Sequence, residues 1–433
     1  MNQAVQFRST RDKNRVSYSL LEAVETGLAP DGGLFLPETM PNIEWQSLSS
    51  LSFQACAEAY LNQWLYGSIS ADQISRWVHS ALDFPVPLVS LGESNTHVLE
   101  LFHGPTLSFK DFGARSMAFL LGERIRETGS SVTILVATSG DTGSAVADGL
   151  SGIEGVRVVL LYPKDQVSKV QEKQLITKRQ GVVSIRVAGT FDDCQRMVKG
   201  SFSDPNLSKE HLSTANSINI GRLIPQMLYY VWATRLLMSE RCTFVVPSGN
   251  LGNLTAGVMA HLSGMPVAQF VAAHNDNDFF PRYLDNPDTQ FADSKRTVSN
   301  AMDVGAPSNF ERLTFLLGYE RLKELISGAS ISDFETTTSI SEVYKSTGYI
   351  ADPHTAVGLV AAKDARSMLK GEGPVVVLST AHPAKFPEIV EKEIGKVLPE
   401  PSQLSALDTR PISVVDLDPD QAQLAELILS SKW

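Results

Sequence analysis

From about residue 95 onward, short apolar runs rich in β-branched residues alternate with helical patterns. Thr133 to Ala137 (TILVA), Val156 to Tyr162 (VRVVLLY), Val182 to Val187, Cys242 to Val246 (CTFVV), Val267 to Ala272 and Val375 to Leu378 read as strands buried on both faces. Such strands separated by helices predict a parallel α/β fold. The first 85 or so residues read as helical instead. Ser70 with Gln73 has the form of a capping box, and Ile74, Trp77, Val78, Ala81 and Leu82 then share one helical face until Pro85 and Pro87 end the pattern. The Trp77 stripe reads as core packing rather than as a cofactor platform. Asn275 to Asn309 lacks periodicity and is rich in Asp, Asn and Pro, so a long loop is expected there. The stretch from Pro399 to Trp433 reads as a tail with one short helix.

Composition narrows the class. The chain has 433 residues, long enough for two or three lobes, with 43% hydrophobic and 20% charged residues. A net charge of -11, from 37 basic and 48 acidic residues, argues against a nucleic-acid or anionic-membrane surface while leaving room for a local basic pocket. Cys56, Cys194 and Cys242 are odd in number and widely spaced, which suggests neither a disulfide framework nor a zinc site. The opening MNQAVQFRSTRDKNR lacks the apolar stretch of a signal peptide, and no apolar run approaches the roughly 18 residues of a membrane span. A cytoplasmic protein with no nucleic-acid or membrane partner is expected, as a monomer or weak homodimer.

Candidate chemistry begins at Lys110, between Phe109 and Phe112 in HGPTLSFKDFGARS, where a loop runs into a helix. A cation in the first helical turn faces the positive end of the dipole, and flanking aromatics favour the neutral, nucleophilic amine. Such an amine suits a Schiff base to a substrate carbonyl or to pyridoxal phosphate. Taken alone, Lys110 reads better as a surface lysine beside two core phenylalanines, so the rest of the chain decides.

Two strand-to-helix turns have the chemistry of anion sites. In VVPSGNLGNLTAG, Ser248, Gly249, Asn250, Leu251, Gly252 and Asn253 form a turn before a helix that offers free N–H groups. In VATSGDTGSA, Ser139, Asp141 or Thr142 could equally be a simple N-cap. Asn216, Ser217, Asn219 and Arg222 in ANSINIGR add amides, a hydroxyl and a guanidinium suited to an oxyanion, although a lone arginine is as easily a surface ion-pair partner. Thr380, in STAHPAKF after the last strand, would either cap a turn or offer a neutral hydroxyl to a pyridine nitrogen. His103, His354 and His382 read as hydrogen-bonding loop residues, and no HExxH or His/Cys cluster points to a metal.

Together these motifs resemble a known family. HGPTLSFKDFGARS, ATSGDTGSAVA, ANSINIGR, VPSGNLGN, SNAMDVGAPSN, ADPHTAVG and STAHPAKF occur in the same order in the threonine synthases, and GLAPDGGLFLPE resembles their N-terminal signature. The resemblance runs from Arg8 to about Pro399. Single motifs also occur in threonine dehydratase and cystathionine β-synthase. Leu251 departs from the aromatic residue common in relatives, at a loop that works through its backbone.

The resemblance implies an α/β, two-lobed fold type II pyridoxal phosphate enzyme, similar to the tryptophan synthase β chain. It implies a mainly helical N-terminal domain (1–90), a catalytic core (91–398, smaller lobe about 112–225) and a tail packed on the core (399–433). The implied reaction converts O-phospho-L-homoserine and water to L-threonine and phosphate. Lys110 would bond the cofactor and move protons, Ser248 to Asn253 would hold the cofactor phosphate, Thr380 would face the ring nitrogen, and Asp141 would lie near the ring. Ser139, Thr142, Asn216, Ser217 and Arg222 would hold the substrate phosphate. The rival readings are a threonine or serine dehydratase, which needs no second phosphate pocket, and a noncatalytic phospho-ligand binder, which needs no reactive lysine. A dehydrogenase is disfavoured by the lack of GxGxxG in a βαβ unit.

Overall fold

The structure is a computed structural model that describes residues 4–48, 52–92, 95–238, 241–368 and 373–430. Its strands in chain order are β1 (Phe7–Ser9), β2 (Phe35–Pro37), β3 (Leu88–Ser90), β4 (Thr96–Glu100), β5 (Val132–Ala137), β6 (Val156–Pro163), β7 (Val182–Val187), β8 (Leu212–Thr214), β9 (Cys242–Pro247), β10 (Val267–His274), β11 (Ile326–Ser330), β12 (Val375–Ser379) and β13 (Val415–Leu417). A six-stranded sheet has the order β11-β10-β9-β12-β4-β3, parallel except for the edge strand β3. A five-stranded sheet has the order β13-β7-β6-β5-β8 and is wholly parallel. Parallel neighbours require crossover connections, which the intervening helices supply.

The β-branched runs become β5, β6, β7, β9, β10 and β12. Every residue of β5, β9 and β12 is buried, as expected of central parallel strands. β7 departs from that expectation, because Val182, Val183 and Arg186 are only partly buried. β4, β8, β11 and β13 escape a search for apolar runs. β11 reads ISGAS, and its Gly328 is required by packing, since a Cβ there would stand 2.6 Å from Pro281 Cα.

The N-terminal region is helical with one correction. Helices Leu20–Thr26, Phe53–Trp64 and Ala71–Ala81 are accompanied by the antiparallel pair β1 and β2, in register Phe7 to Pro37. The Ser70 and Gln73 capping box forms, and Trp77 is fully buried, stacked on Phe119 at 6.4 Å. Ser70→Ala removes that cap and is expected to lower stability by about 1 kcal/mol, measured as a shift of the denaturation midpoint. Apolar residues of these helices belong to the same buried cluster as Phe112, Met117 and Tyr229.

Two further segments hold more structure than their composition suggests. The 275–309 region contains the helix Phe279–Asp285 and a 3-10 turn at Asn300–Met302, so it is not one uninterrupted loop. Buried amides fix it: Asn275 Nδ2 donates to Thr297 Oγ1 at 2.7 Å and Asp303 Oδ1 at 2.9 Å, and Asn277 Oδ1 accepts from the Lys295 N–H at 2.7 Å. The tail carries two helices, Ser402–Ser405 and Gln421–Leu429, and lends β13 to the smaller sheet. Leu424 and Ile428 pack on Leu135, Val159 and Met197, which explains why a Pro-bearing tail folds back.

Candidate active site

A cavity of about 730 Å³ lies at the carboxyl ends of β5, β9 and β12, where Ala137, Pro247 and Thr380 form part of its wall. Ligands of open parallel sheets gather at such strand ends. Of the residues singled out from the sequence as site candidates, Lys110, Ser139, Asp141, Thr142, Asn216, Ser217, Arg222, Ser248 to Asn253, and Thr380 line this one cavity. Asn219 does not. It caps the short helix Ile220–Leu223 and donates to the carbonyls of Val24 and Thr214.

Lys110 is the first residue of the helix Lys110–Thr128. The loop before it is held along the end of β12: the Phe109 N–H donates to Thr380 O at 2.9 Å and the His382 N–H to Leu107 O at 3.0 Å. Asp111 closes the loop, its carboxylate accepting from the Thr106 N–H at 2.9 Å and Thr106 Oγ1 at 2.6 Å. Burial pushes Asp111 up to about 7. The two flanking aromatics divide their work. The Lys110 amine stands 4.4 Å above the Phe109 ring, whereas Phe112 is fully buried against Phe53, Phe84 and Tyr229. Desolvation of the amine, then the charge of Arg222, push Lys110 down to about 8, with Asp141 opposing and Lys385 reinforcing. That shift places a substantial neutral fraction near physiological pH.

The turn after β9 ends in Leu251, which takes the left-handed conformation (φ 58°) directly before the helix Gly252–Leu262. Its fixed shape comes from polar contacts on both sides. Asn250 Nδ2 donates to Ser217 Oγ at 2.6 Å, its Oδ1 accepts from the Ser308 N–H, and Asn309 Nδ2 reaches Asn250 O at 3.0 Å. A Cβ on Gly249 would stand 2.8 Å from Met302 Cα, so only glycine lets the SNAMDVG segment pack there. Asn253 Oδ1 accepts from Tyr229 and Tyr230, both at 2.7 Å, while its buried Nδ2 has no partner. A helix N-terminus with an orphaned donor beside it fits a phosphate.

Across the cavity, β5 runs into the helix Asp141–Leu150, with Ser139 and Thr142 half-buried on its wall. Arg222 is 1% exposed, and among the described residues it forms no ion pair. One Nη1 bond to Ala215 O is made, and the buried Nε has no partner, nor has Asn216 Oδ1. Burial draws the guanidinium down to about 10, with Asp111 opposing. A buried, unpaired cation facing a cavity is costly unless an anion completes it. Gly113 makes this placement possible, because a Cβ there would lie 2.8 Å from Arg222 Nε.

Some residues at the site were missed. Lys385, fully buried in STAHPAKF, pairs with Asp141 Oδ1 at 2.8 Å, and Gln171 Nε2 donates to the same oxygen at 2.9 Å. Lys385 and His354 outweigh the effect of burial and hold the Asp141 carboxyl below its usual range. His354, on the cavity wall, has Nδ1 at 2.6 Å from Asp352 Oδ2 and accepts from the Ala301 N–H at 3.2 Å. Leu28, Gly32 and Leu34 add a wall from the N-terminal region. Leu28, Gly32, Leu34, His354 and Lys385 lie in motifs quoted from the sequence, although nothing local marks Lys385 as buried, and Gln171 lies in none of those motifs. Among the described residues, no helix is long and apolar enough to cross a membrane and no group of three or more His, Cys, Asp or Glu could hold a metal.

Comparison with known proteins accounts for nearly the whole chain. Residues 84–381 match the family described as pyridoxal-phosphate dependent enzyme, residues 6–82 the threonine synthase N terminus, and residues 355–428 the threonine synthase C-terminal family. Threonine synthase of Haemophilus influenzae is 41% identical over 427 residues, covering 97% of this chain and 98% of the relative. The Escherichia coli K12 protein is 39% identical, covering 95% and 96%. The crystal structure of threonine synthase from Escherichia coli superposes with a TM-score of 0.91 at 38% identity, covering 98% of this chain and 99% of that one. A pyridoxal phosphate-bound threonine synthase from Brucella melitensis gives 0.91 at 33%, with the same coverage. The fold alone recurs in maize serine racemase, at a TM-score of 0.52 and 14% identity. The chain is a fold type II pyridoxal-phosphate dependent enzyme and belongs to the threonine synthase family.

Proposed function

We propose that this protein converts O-phospho-L-homoserine and water to L-threonine and inorganic phosphate. The observation that carries the reading is Arg222, a buried guanidinium with no counter-ion among the described residues, on the wall of the cavity that also holds Lys110. A dehydratase acting on serine or threonine has no use for that second anion site. In this assignment Lys110 bonds the cofactor, Ser248 to Asn253 hold its phosphate and Thr380 faces its ring nitrogen. Ser139, Thr142, Asn216, Ser217 and Arg222 hold the substrate phosphate. Residues 1–90, 91–398 and 399–433 are kept as the domain division, and a cytoplasmic monomer or weak homodimer as the working state.

Pyridoxal phosphate, when bound, supplies the electron sink that makes hydrogens on carbons near the substrate amine acidic. The leaving phosphate sits on Cγ, so removing the Cα proton is not enough. With substrate in place, the Lys110 amine takes the Cα proton and then a Cβ proton, and the Cγ–O bond breaks with its electron pair leaving on phosphate. Arg222 and the hydroxyls of Ser139 and Thr142 stabilise the charge that builds on that oxygen. A proton is then returned to Cγ, water adds its oxygen at Cβ, and a proton at Cα completes threonine. One lysine can serve these carbons in turn only if its amine is neutral at several stages, which burial and the charge of Arg222 favour by lowering its pKa to about 8. Closure of the open cavity between its walls, which come from the core and the N-terminal region, would exclude water while the carbanionic stages last.

The lowered pKa of Lys110 has a direct readout. In cofactor-free protein only the neutral amine captures pyridoxal phosphate, so the capture rate is expected to rise with pH and level off above about 8, rather than near the 10.5 of an ordinary lysine. Stopped-flow absorbance across pH 6 to about 10 checks this. The function itself is tested by steady-state assay of the purified protein with O-phospho-L-homoserine, L-threonine and L-serine. Phosphate release from the first with little ammonia from the others is expected. Ammonia release from serine or threonine without phosphate release would install the dehydratase instead, and binding without turnover would install the phospho-ligand binder.

A further inference from the structure

We propose that Lys385 is a positioning residue that locks the Ser139–Thr142 turn to the loop presenting Lys110. The inference rests on the reading of that turn as the holder of the substrate phosphate. Lys385 is 0% exposed and lies behind the cavity wall. Its Nζ sits 2.8 Å from Asp141 Oδ1 and donates to Thr106 O at 3.0 Å, and its own carbonyl accepts from Ser168 Oγ at 3.0 Å. Both ends of the side chain's reach lead to the reacting centre.

On one side, Asp141 opens the helix that follows the turn, and its Oδ1 also accepts from Gln171 Nε2 at 2.9 Å. Gln171 fills the space under Gly140, where a Cβ would stand 2.5 Å from its amide carbon and where φ is +130°. The turn therefore has one shape, fixed from below. On the other side, Thr106 donates through its N–H and its hydroxyl to Asp111, the residue after Lys110. A single ammonium thus spans a segment of the smaller lobe and the loop that leads to Lys110.

Charge gives the lock a second consequence. Asp141 faces the cavity, and an unbalanced carboxylate there would repel a phosphate dianion. Lys385 cancels that charge from behind without occupying the substrate's space. Neither partner is cheap to bury alone, because removing one leaves an uncompensated charge. The same ammonium adds to burial and Arg222 in lowering the pKa of Lys110.

The test uses holoenzyme carrying Lys385→Met, alone and combined with Asp141→Asn. Inhibition by inorganic phosphate, kcat and KM for O-phospho-L-homoserine, the cofactor absorption band and thermal unfolding are measured together. Lys385→Met is expected to keep the cofactor band while weakening phosphate inhibition and raising KM at least ten-fold. The double variant, freed of the stranded carboxylate, is expected to regain phosphate affinity to within five-fold of wild type but to keep a kcat at least ten-fold lower, because the tie to Thr106 is still missing. A fall in melting temperature alone, with phosphate inhibition and KM within two-fold of wild type, would assign Lys385 a merely structural role and overturn the proposal. If Lys385→Met does not fold, the double variant decides, and a kcat within two-fold of wild type overturns it. A wild type that never turns over O-phospho-L-homoserine sinks the functional reading instead, while phosphate binding and the cofactor band still report on Lys385.

Discussion

Lys110→Ala is expected to fold normally and to lose about 10⁴-fold or more of kcat, the upper end of what one acid–base group contributes. Two roles are lost together: the bond to the cofactor and the amine that moves protons. The visible absorption band of the bound cofactor should disappear from the variant as purified. Folding is not at risk, because the side chain is half-buried in an open cavity, with its amine over the Phe109 ring and no hydrogen bond or ion pair among the described residues. Removing a desolvated amine relieves a cost rather than creating one. Lys110→Arg is expected to fail as completely, since a guanidinium does not become neutral near pH 8. Spectra, melting curves and single-turnover kinetics check these outcomes, and retained turnover in either variant would remove Lys110 from the chemistry.

Arg222→Met should separate catalysis from stability most clearly. Loss of a buried, charge-assisted contact to a phosphate costs about 2–5 kcal/mol, equivalent to a fall in kcat/KM of about 30-fold to several thousand-fold. Thermal stability of the substrate-free protein should hold or rise, because the guanidinium is buried with, among the described residues, an unpaired Nε and no ion-pair partner. The pH dependence has a definite sign. Burial lowers the Arg222 pKa to about 10, so the cation persists below that value and its contribution to substrate binding fades only above it. Kinetics and differential scanning calorimetry on the same preparation check the pair of effects. A variant that loses stability but keeps kcat/KM within about three-fold would mark Arg222 as a structural residue, given the size of the effect expected here.

The residues proposed to hold a phosphate or a cofactor were legible because their chemistry is local. Gly249, Gly252 and the polar residues around them announce a strand-to-helix turn within six positions, and the structure places all six on the cavity wall. Lys110 was legible in place but only partly in cause. Phe109 does lie under its amine, whereas Phe112, expected to flank it as well, belongs to the core formed with Phe53 and Tyr229. The pKa shift owes more to cavity burial and to Arg222, 112 positions away in sequence, which no local pattern reports.

What stayed hidden was set by long-range partners. β13 and β11 are short and weakly apolar, and each exists because a neighbouring strand offers an edge: Val415 pairs with Ile185, and Ile326 with Phe270. The pair β1 and β2 reads as neither alternation nor helix in three residues apiece, yet it carries Leu34 and Arg11 to the cavity mouth. Lys385 is the plainest case. A lysine between Ala384 and Phe386 has no local sequence mark of burial, and its importance comes from Asp141, 244 positions earlier.

Phosphate is expected to leave by breaking the Cγ–O bond, and water's oxygen to arrive at Cβ. Turnover of O-phospho-L-homoserine in H₂¹⁸O, with both products read by mass spectrometry, tests it most directly. One ¹⁸O is expected in the hydroxyl of threonine and none in the phosphate, with the two products formed in equal amounts. Solvent oxygen in the phosphate, with homoserine rather than threonine beside it, would show hydrolysis at phosphorus and rule out elimination at Cγ.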